Sequence, residues 1–592
     1  MKVKNNSAKG VTSNFITGAF LLTGAMFAVK ICGMFFKIFL TRIFAVFGDD
    51  FAGIGTGLFS NAYEIYIPLF TIATAGFPVA VSRLISESAA RENFREVRKI
   101  FKSAKPFFVI TGLICFLIMA AGSFFYVKLI EQPYAIYSML VLSPTIFFGC
   151  VASVYRGYFE GLRNMSPTAV SQVIEALCKL FVGLGLAAVV VFAGTANYQK
   201  TGTFFGMTFE SEAEAVNTLA GISVAAAIGG ITLGSIFSCL YLICKYRKSR
   251  RGIPQEYYLK PIERKESERT FLLIFKTAIP IGVTSLVMSI SSTVDSAIIQ
   301  HVIYHTAVEN REQLLRCFDG ALNHTIPAIS TPENPITIHT YLFGCFSCSL
   351  TIMQLITALT QVLGTCAMPN VTTAFTKGSK KEIKKSIETV IRITMAIVLP
   401  SGLGLFFLSY PIMSLFFGGN VAVIGAKVLK IMGLSVIFIA ACTPVCSMLQ
   451  AIGKISLPLK FFVVGMGIKI LINYLFVRNV NLNIQGAAVG SLLAYIYIFF
   501  GLFYCLCKHA KVRPNLLNCV LKPLISAIIC CSFAAAIYNA FASVMFQKIA
   551  VLLSIAVSAV IYSIFLVLLR TFSAEEMKIF PGGEKIEKLL EK

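Results

Sequence analysis

Long uninterrupted apolar runs, separated by short polar or basic stretches, fill almost the whole chain. Runs of this length predict membrane-crossing helices, because a helix of ~20 apolar residues satisfies its own backbone across ~30 Å of hydrocarbon. The pattern places spans at 15–44, 52–83, 106–129, 136–158, 168–193, 217–244, 271–304, 338–373, 389–410, 427–450, 457–478, 485–507, 519–541 and 548–570. A transmembrane β-barrel would instead show short alternating segments. Pro68, Pro78, Pro280 and Pro369 fall inside runs two, seven and eight and predict kinks or breaks there. The first run outlasts a signal-peptide core and shows no clear cleavage site, so it reads as a span.

The polar connections set an orientation. Basic clusters follow runs two, six and eight: Arg91 to Lys105, Lys245 to Arg269, and Lys377 to Lys385. All three fall on one side, which the positive-inside rule makes cytoplasmic, with both termini on that side.

A repeat is also legible. Pro78 and Pro369 each end a run before a basic loop and lie 291 residues apart. Pro167, reached through Gly161 and Asn164, and Pro458, reached through Gly453, open later runs at the same offset. These positions are read as structural or gating points. The fold predicted is an all-α integral membrane protein of about fourteen spans, with two six-helix lobes related by a pseudo-two-fold axis along the membrane normal and two extra helices. The domains are a cytoplasmic N-terminus (1–14), an N-lobe (15–244), a basic cytoplasmic linker (245–270), a C-lobe (271–507), spans 13 and 14 (508–570) and a cytoplasmic tail (571–592).

Composition agrees: 56% of the 592 residues are hydrophobic and 14% charged, a balance that leaves too little polar surface for a water-soluble domain. The net charge of +24 is read as loop orientation, not as nucleic-acid affinity. The 17 cysteines lie mostly in apolar runs and read as small hydrophobes. Cys345 and Cys348 form a CxxC without a second pair, and His301 and His305 lack the intervening glutamate of a zinc-protease helix. No phosphate loop of the GxxxxGK[ST] type is present, so the chain itself does not use ATP by that route. The reading is of a transporter, not an enzyme, with no cofactor and no metal.

Ionisable groups at membrane depth are costly unless they meet a partner or a wet cavity. Span one carries Lys30 and Lys37 on one helical face, with Arg42 further out, and span two carries Asn61 and Glu64. Span seven carries Asp295 and span eleven Lys469. Arg42 also suits snorkelling to the interface, and Glu175 and Lys179 are spaced to pair with each other. If the lobes face each other, Lys30, Lys37, Glu64 and Asp295 line a central cavity whose positive balance suits an anionic substrate. Asp295 or Glu64 is the candidate carrier of a coupling proton or sodium ion. The alternatives are an ion-coupled exporter of organic cations and a non-transporting scaffold.

The stretches Gly57-Leu-Phe-Ser-Asn-Ala-Tyr-Glu-Ile-Tyr, Thr74-Ala-Gly-Phe-Pro-Val-Ala-Val-Ser-Arg-Leu-Ile-Ser-Glu, Ser143-Pro-Thr-Ile-Phe-Phe and Tyr155-Arg-Gly-Tyr-Phe-Glu-Gly-Leu-Arg-Asn-Met-Ser-Pro-Thr-Ala are distinctive. Through them the chain resembles the stage V sporulation protein B branch of the polysaccharide-transport family, within the multidrug/oligosaccharidyl-lipid/polysaccharide exporter superfamily. The resemblance runs through the first twelve spans and is strongest in the first six. It implies a flippase of an undecaprenyl-diphosphate-linked saccharide or peptidoglycan precursor, working by alternating access as a monomer in the bacterial cytoplasmic membrane. It further implies that spans 13 and 14 hold the lipid tail and that Lys30 and Lys37 occupy positions of basic residues that surround the diphosphate in related lipid II flippases. Span eight departs from those relatives, because Leu350-Thr-Ile-Met-Gln-Leu-Ile-Thr-Ala-Leu has no basic residue.

Overall fold

The computed structural model describes residues 3–74, 77–90, 93–162, 164–201, 209, 212–249, 286, 289–318, 336–376, 379–454, 456–543 and 545–572. Among them the chain is nearly all helix and contains no strand. The first half holds α1 (Val3–Ala45), α2 (Asp49–Thr74), α3 (Phe77–Ala90), α4 (Phe94–Leu129), α5 (Ile136–Gly161), α6 (Ser166–Cys178), α7 (Leu184–Thr201) and α8 (Glu212–Ser249). Then come α9 (289–309), α10 (Arg311–Cys317), α11 (Ile336–Thr376), α12 (Lys380–Phe407), α13 (Ser409–Phe416) and α14 (Gly419–Ala451). The chain continues through α15 (Ser456–Val477), α16 (Ile484–Ala510), α17 (Lys522–Phe541) and α18 (Gln547–Leu568).

Twelve helices among the described residues are long and apolar enough to cross a membrane. The expected run 15–44, those from 106–129 to 217–244 and those from 338–373 to 548–570 each have one. Two departures account for the rest. The expected single run 52–83 is two helices, α2 and α3, and neither is among the twelve. Asn61, Tyr63, Glu64 and Tyr66 make α2 too polar to qualify on apolarity, and its burial is inside the protein, with 51–62 all buried. The run 271–304 lies partly outside the described residues, Pro280 included, and only its second half appears, as α9. The linker beyond Ser249 and the tail beyond Phe572 also lie outside them. Pro68 and Pro369 break nothing: α2 and α11 run through them.

The repeated signature has a counterpart in local geometry. At the start of α4 the Asn93 side chain accepts a hydrogen bond from the Glu96 N–H at 3.2 Å, and at the start of α12 Ser379 accepts one from Glu382 at 3.4 Å. Each is an N-cap with an acidic residue at the third position, suited to the exposed donors and positive dipole end of a helix. At the ends of α5 and α14, Asn164 N–H donates to Phe159 O and Lys454 N–H to Leu449 O, both at 2.9 Å. Gly453, at φ +81°, makes the second of these turns possible. Pro167 and Pro458 then sit, buried, in the first turn of α6 and α15, where a missing N–H costs nothing.

The described residues divide into two compact units: Met1–Glu309 with Asn323–Gly344, and Asn310–Leu322 with Cys345–Lys592. In the first, α5 is the central helix and packs against α4 and α8, with α3 and α2 alongside. Glycines permit the closest crossings. A Cβ at Gly157 would meet Pro78 O at 2.8 Å, and one at Gly161 would meet Ile85 at 2.7 Å, so Pro78 and Gly161 belong to one α3–α5 contact. In the second unit α16 is central, packed against α14 and α15, while α17 and α18 pair with each other and reach α12. Tyr562 on α18 donates to Ala396 O on α12 at 2.8 Å, which ties the final pair to the unit.

Candidate functional site

The first unit gathers Lys30, Lys37, Arg42, Asn61, Glu64 and Asp295, while Lys469 lies on α15 in the second. Lys37 is buried and Lys30 and Arg42 are exposed on the same helix. Asn61 is fully buried, and neither amide atom finds a hydrogen-bond partner among the described residues. A buried amide without a partner costs roughly 1–3 kcal/mol. Glu64 is half-buried. Its backbone carbonyl accepts a hydrogen bond from Thr293 of α9 at 2.6 Å. Ser289 donates to Thr71 at 3.2 Å along the same helix pair, and Asp295 is buried on α9 two residues beyond Thr293. On α15, Lys469 is half-buried, and Asn473 one turn on is buried where Gly490 of α16 leaves room for its side chain. Asn164 is exposed and serves its turn through its backbone. Pro369 lies within α11.

The structure corrects the expected pairing of Glu175 with Lys179. Glu175 accepts from Arg156 Nη2 at 2.7 Å, and the same guanidinium donates to Ser171 Oγ at 3.0 Å and Ser238 Oγ at 3.1 Å. Arg156 thus ties α5 to α6 and α8, through a planar fork that a lysine does not offer. Lys179 is held elsewhere. Its Nζ donates to Tyr63 OH at 3.3 Å and lies 4.8 Å from the Phe36 ring centre, 5.2 Å from Tyr63 and 5.7 Å from Phe59. Aromatic faces stabilise an ammonium by about 0.5–2 kcal/mol in such positions.

The backbone explains how Lys179 arrives there. Residues Lys179–Gly183 form a π-helical turn between α6 and α7, a wider turn that rotates side chains relative to a continuous α-helix. Gly183 faces Gly230 of α8 so closely that a Cβ on Gly230 would lie 2.3 Å from Gly183 Cα. Beside it is a cavity of about 160 Å³ bordered by Tyr66, Phe70, Thr145, Glu175, Lys179 and Ser235. The sequence reading missed this cluster. Arg156 stood within a quoted motif, but its partners lie 15, 19 and 82 residues away, beyond any helical spacing rule.

A bundle of long apolar helices with charged and amide groups held in its interior is a multi-pass membrane protein of transporter architecture. Its relatives agree. The family model described as "Polysaccharide biosynthesis protein" matches residues 15–309, and that of "Lipid II flippase MurJ" matches 344–572. The chain is 23% identical to the lipid II flippase MurJ of Bacillus subtilis (strain 168) over 539 residues, covering 88% of this chain and 87% of that protein. It is 21% identical to stage V sporulation protein B of the same organism over 580 residues, covering 96% and 98%. Among solved structures, lipid II flippase MurJ in an inward closed conformation superposes with a TM-score of 0.56 at 15% identity, covering 94% of this chain and 98% of that one. An inward-facing multidrug resistance MATE family transporter gives 0.53 at 12% identity, covering 83% and 95%. The two family models thus meet this chain in its first and second halves, and both full-length relatives are similar to it over most of their own length.

Proposed function

We propose that this protein is a flippase that moves an undecaprenyl-diphosphate-linked saccharide or peptidoglycan precursor outward across the bacterial cytoplasmic membrane by alternating access. The observation that carries the reading is the retention of Lys30 and Lys37 on α1, Lys37 being buried without leaving the apolar run. Fixed ammonium groups at membrane depth replace the water that a diphosphate gives up, and they repel organic cations. The relatives' names point the same way, toward lipid-linked cargo. In this reading both termini are cytoplasmic, the protein works as a monomer, and the chain's own role is transport rather than covalent catalysis. Asp295 or Glu64 carries the coupling proton or sodium ion.

Depleting the protein from its host is expected to trap precursor on the inner leaflet. Mass spectrometry of lipid-linked intermediates should then show one undecaprenyl-diphosphate species rising several-fold, and its glycan identifies the cargo. An unchanged lipid-linked pool contradicts the reading. The buried carboxylate of Asp295 also favours a second reading, an ion-coupled exporter of organic cations. That reading predicts resistance to cationic dyes on overexpression, abolished by Asp295→Asn.

A further inference from the structure

We propose that His301 and His305, near the end of α9, form a two-histidine site for a divalent transition-metal cation of the Zn²⁺ or Ni²⁺ kind. The site stands apart from the flippase reading and shares no residue with it.

Spacing is the first argument. The run His301-Val-Ile-Tyr-His305 puts two imidazoles one turn apart on a single helical stripe. A zinc-protease helix adds a glutamate between its histidines as a base, but a chelate needs only the spacing. The structure brings the two ring centres to 4.5 Å, with their planes at 74°. A metal about 2.0–2.1 Å from one nitrogen of each ring lies ~3.2 Å from each ring centre, so centres 4.5 Å apart subtend roughly 90° at it. That angle suits octahedral and distorted tetrahedral ions alike. Each ring has only to turn one nitrogen into the gap, about a torsion that is broad for imidazole.

Placement is the second. Both rings are exposed, while Val302, Ile303, Thr306 and Ala307 are buried and fix the opposite face of α9. Among the described residues the rings touch each other and, for His305, the Tyr304 ring, and no ring nitrogen of the pair has a hydrogen-bond or ion-pair partner. His509 on α16 differs, with its Nδ1 2.8 Å from Cys505 O. Depth follows from Tyr304, whose ring centre lies 5.4 Å from that of His339, and His339 Nε2 lies 3.3 Å from the carbonyl of Ile130, the residue that ends α4. Because α4 begins within the basic segment from Arg91 to Lys105, the pair sits at the opposite end of the first unit, where a helix leaves the hydrocarbon and an aqueous cation can reach it. No third His, Cys, Asp or Glu completes a metal-holding group with them among the described residues, so the remaining positions fall to water and the ion stays exchangeable. Bound, it joins two successive turns and stabilises the folded end of α9.

Calorimetric titration with Zn²⁺, and separately with Ni²⁺, tests the site on the full-length protein, purified without a histidine tag and held in zwitterionic nanodiscs. The expected result is a saturable event of one ion per chain, weakened at least tenfold by His301→Gln or by His305→Gln and unchanged by His509→Gln. Mg²⁺, a hard cation that prefers oxygen, should give no event. Zn²⁺ should also raise the melting temperature of the wild type and leave both variants of the pair unmoved. No saturable binding, binding undiminished in either variant, an equal event with Mg²⁺, or a dissociation constant weaker than about 1 mM overturns the proposal. If a variant does not fold, judged by helical circular dichroism and a monodisperse elution, the wild type carries the test. Zn²⁺ should then protect His301 and His305, but not His509, from diethyl pyrocarbonate, read by peptide mass spectrometry. Equal modification of the pair with and without Zn²⁺ overturns the proposal just as well.

Discussion

Replacing Arg156 with Met should lower stability by about 3 kcal/mol, the lower end of the cost of leaving one member of a buried ion pair alone. Arg156 is 14% exposed and Glu175 32%, and the cavity beside Glu175 moderates the penalty. The guanidinium also satisfies Ser171 and Ser238, both fully buried, so the substitution removes ties from α5 to two helices at once. Thermal unfolding in nanodiscs is the measurement. The double variant Arg156→Met with Glu175→Leu should recover much of the loss, because no isolated charge remains. Arg156→Lys should fall between, since a point charge reaches the carboxylate but not both serines. A double variant as unstable as Arg156→Met alone would show that the hydroxyl bonds, not the ion pair, hold this junction.

Gly344→Leu is expected to be the most damaging packing change in the first unit. A Cβ at Gly344 would lie 2.0 Å from Gly53 O and 2.8 Å from Thr56 Oγ1, so even one added carbon requires α2 and α11 to separate. The contact continues along both helices. A Cβ at Gly57 would meet Thr340 O at 2.4 Å, and one at Gly53 would meet the Tyr341 ring at 2.2 Å. Gln132 donates to Thr340 Oγ1 beside it, and the His339 ring lies 3.3 Å from Ile130 O. Overpacking typically costs about 1–3 kcal/mol, and a backbone carbonyl as the obstructing group places Gly344→Leu at or above the upper end. Gly404→Ala is the control: nothing lies within 4 Å of its Cβ position in α12, and removing a glycine from a helix interior should stabilise by about 0.5–1 kcal/mol. Equal melting temperatures for the Gly344 variant and the wild type would show that this crossing is not closed in the membrane.

These two changes mark where the sequence stops being informative. The spans were legible because a continuous apolar run has one physical solution in a bilayer, and each of the twelve helices found overlaps one expected run. The repeat was legible through its turns, since the proline and capping residues act within a few positions of themselves. Span two was harder, because α2 is buried by protein rather than by lipid and needs no apolar continuity.

Site residues divide in the same way. Lys30, Lys37, Glu64 and Asp295 announced themselves by being ionisable within apolar runs, and the structure places all four in one unit. Lys179 and Glu175 carried the same cue, but helical spacing offered an easy local partner and concealed the true ones. Arg156 won the carboxylate because three acceptors on two helices converge on its fork. Glycine contacts were unreadable for a different reason: a glycine in sequence names no partner, and Gly57 and Thr340 meet across 283 residues of chain.

The central claim is that cationic side chains on α1 carry an anionic lipid-linked cargo across the membrane. It is tested most directly by following translocation of a fluorescent undecaprenyl-diphosphate-linked glycan in liposomes reconstituted with the protein. The wild type should move the lipid between leaflets well above empty liposomes, and the double variant Lys30→Ala with Lys37→Ala should lose at least tenfold in rate while keeping its melting temperature within a few degrees. Unchanged translocation by that folded double variant would contradict the account.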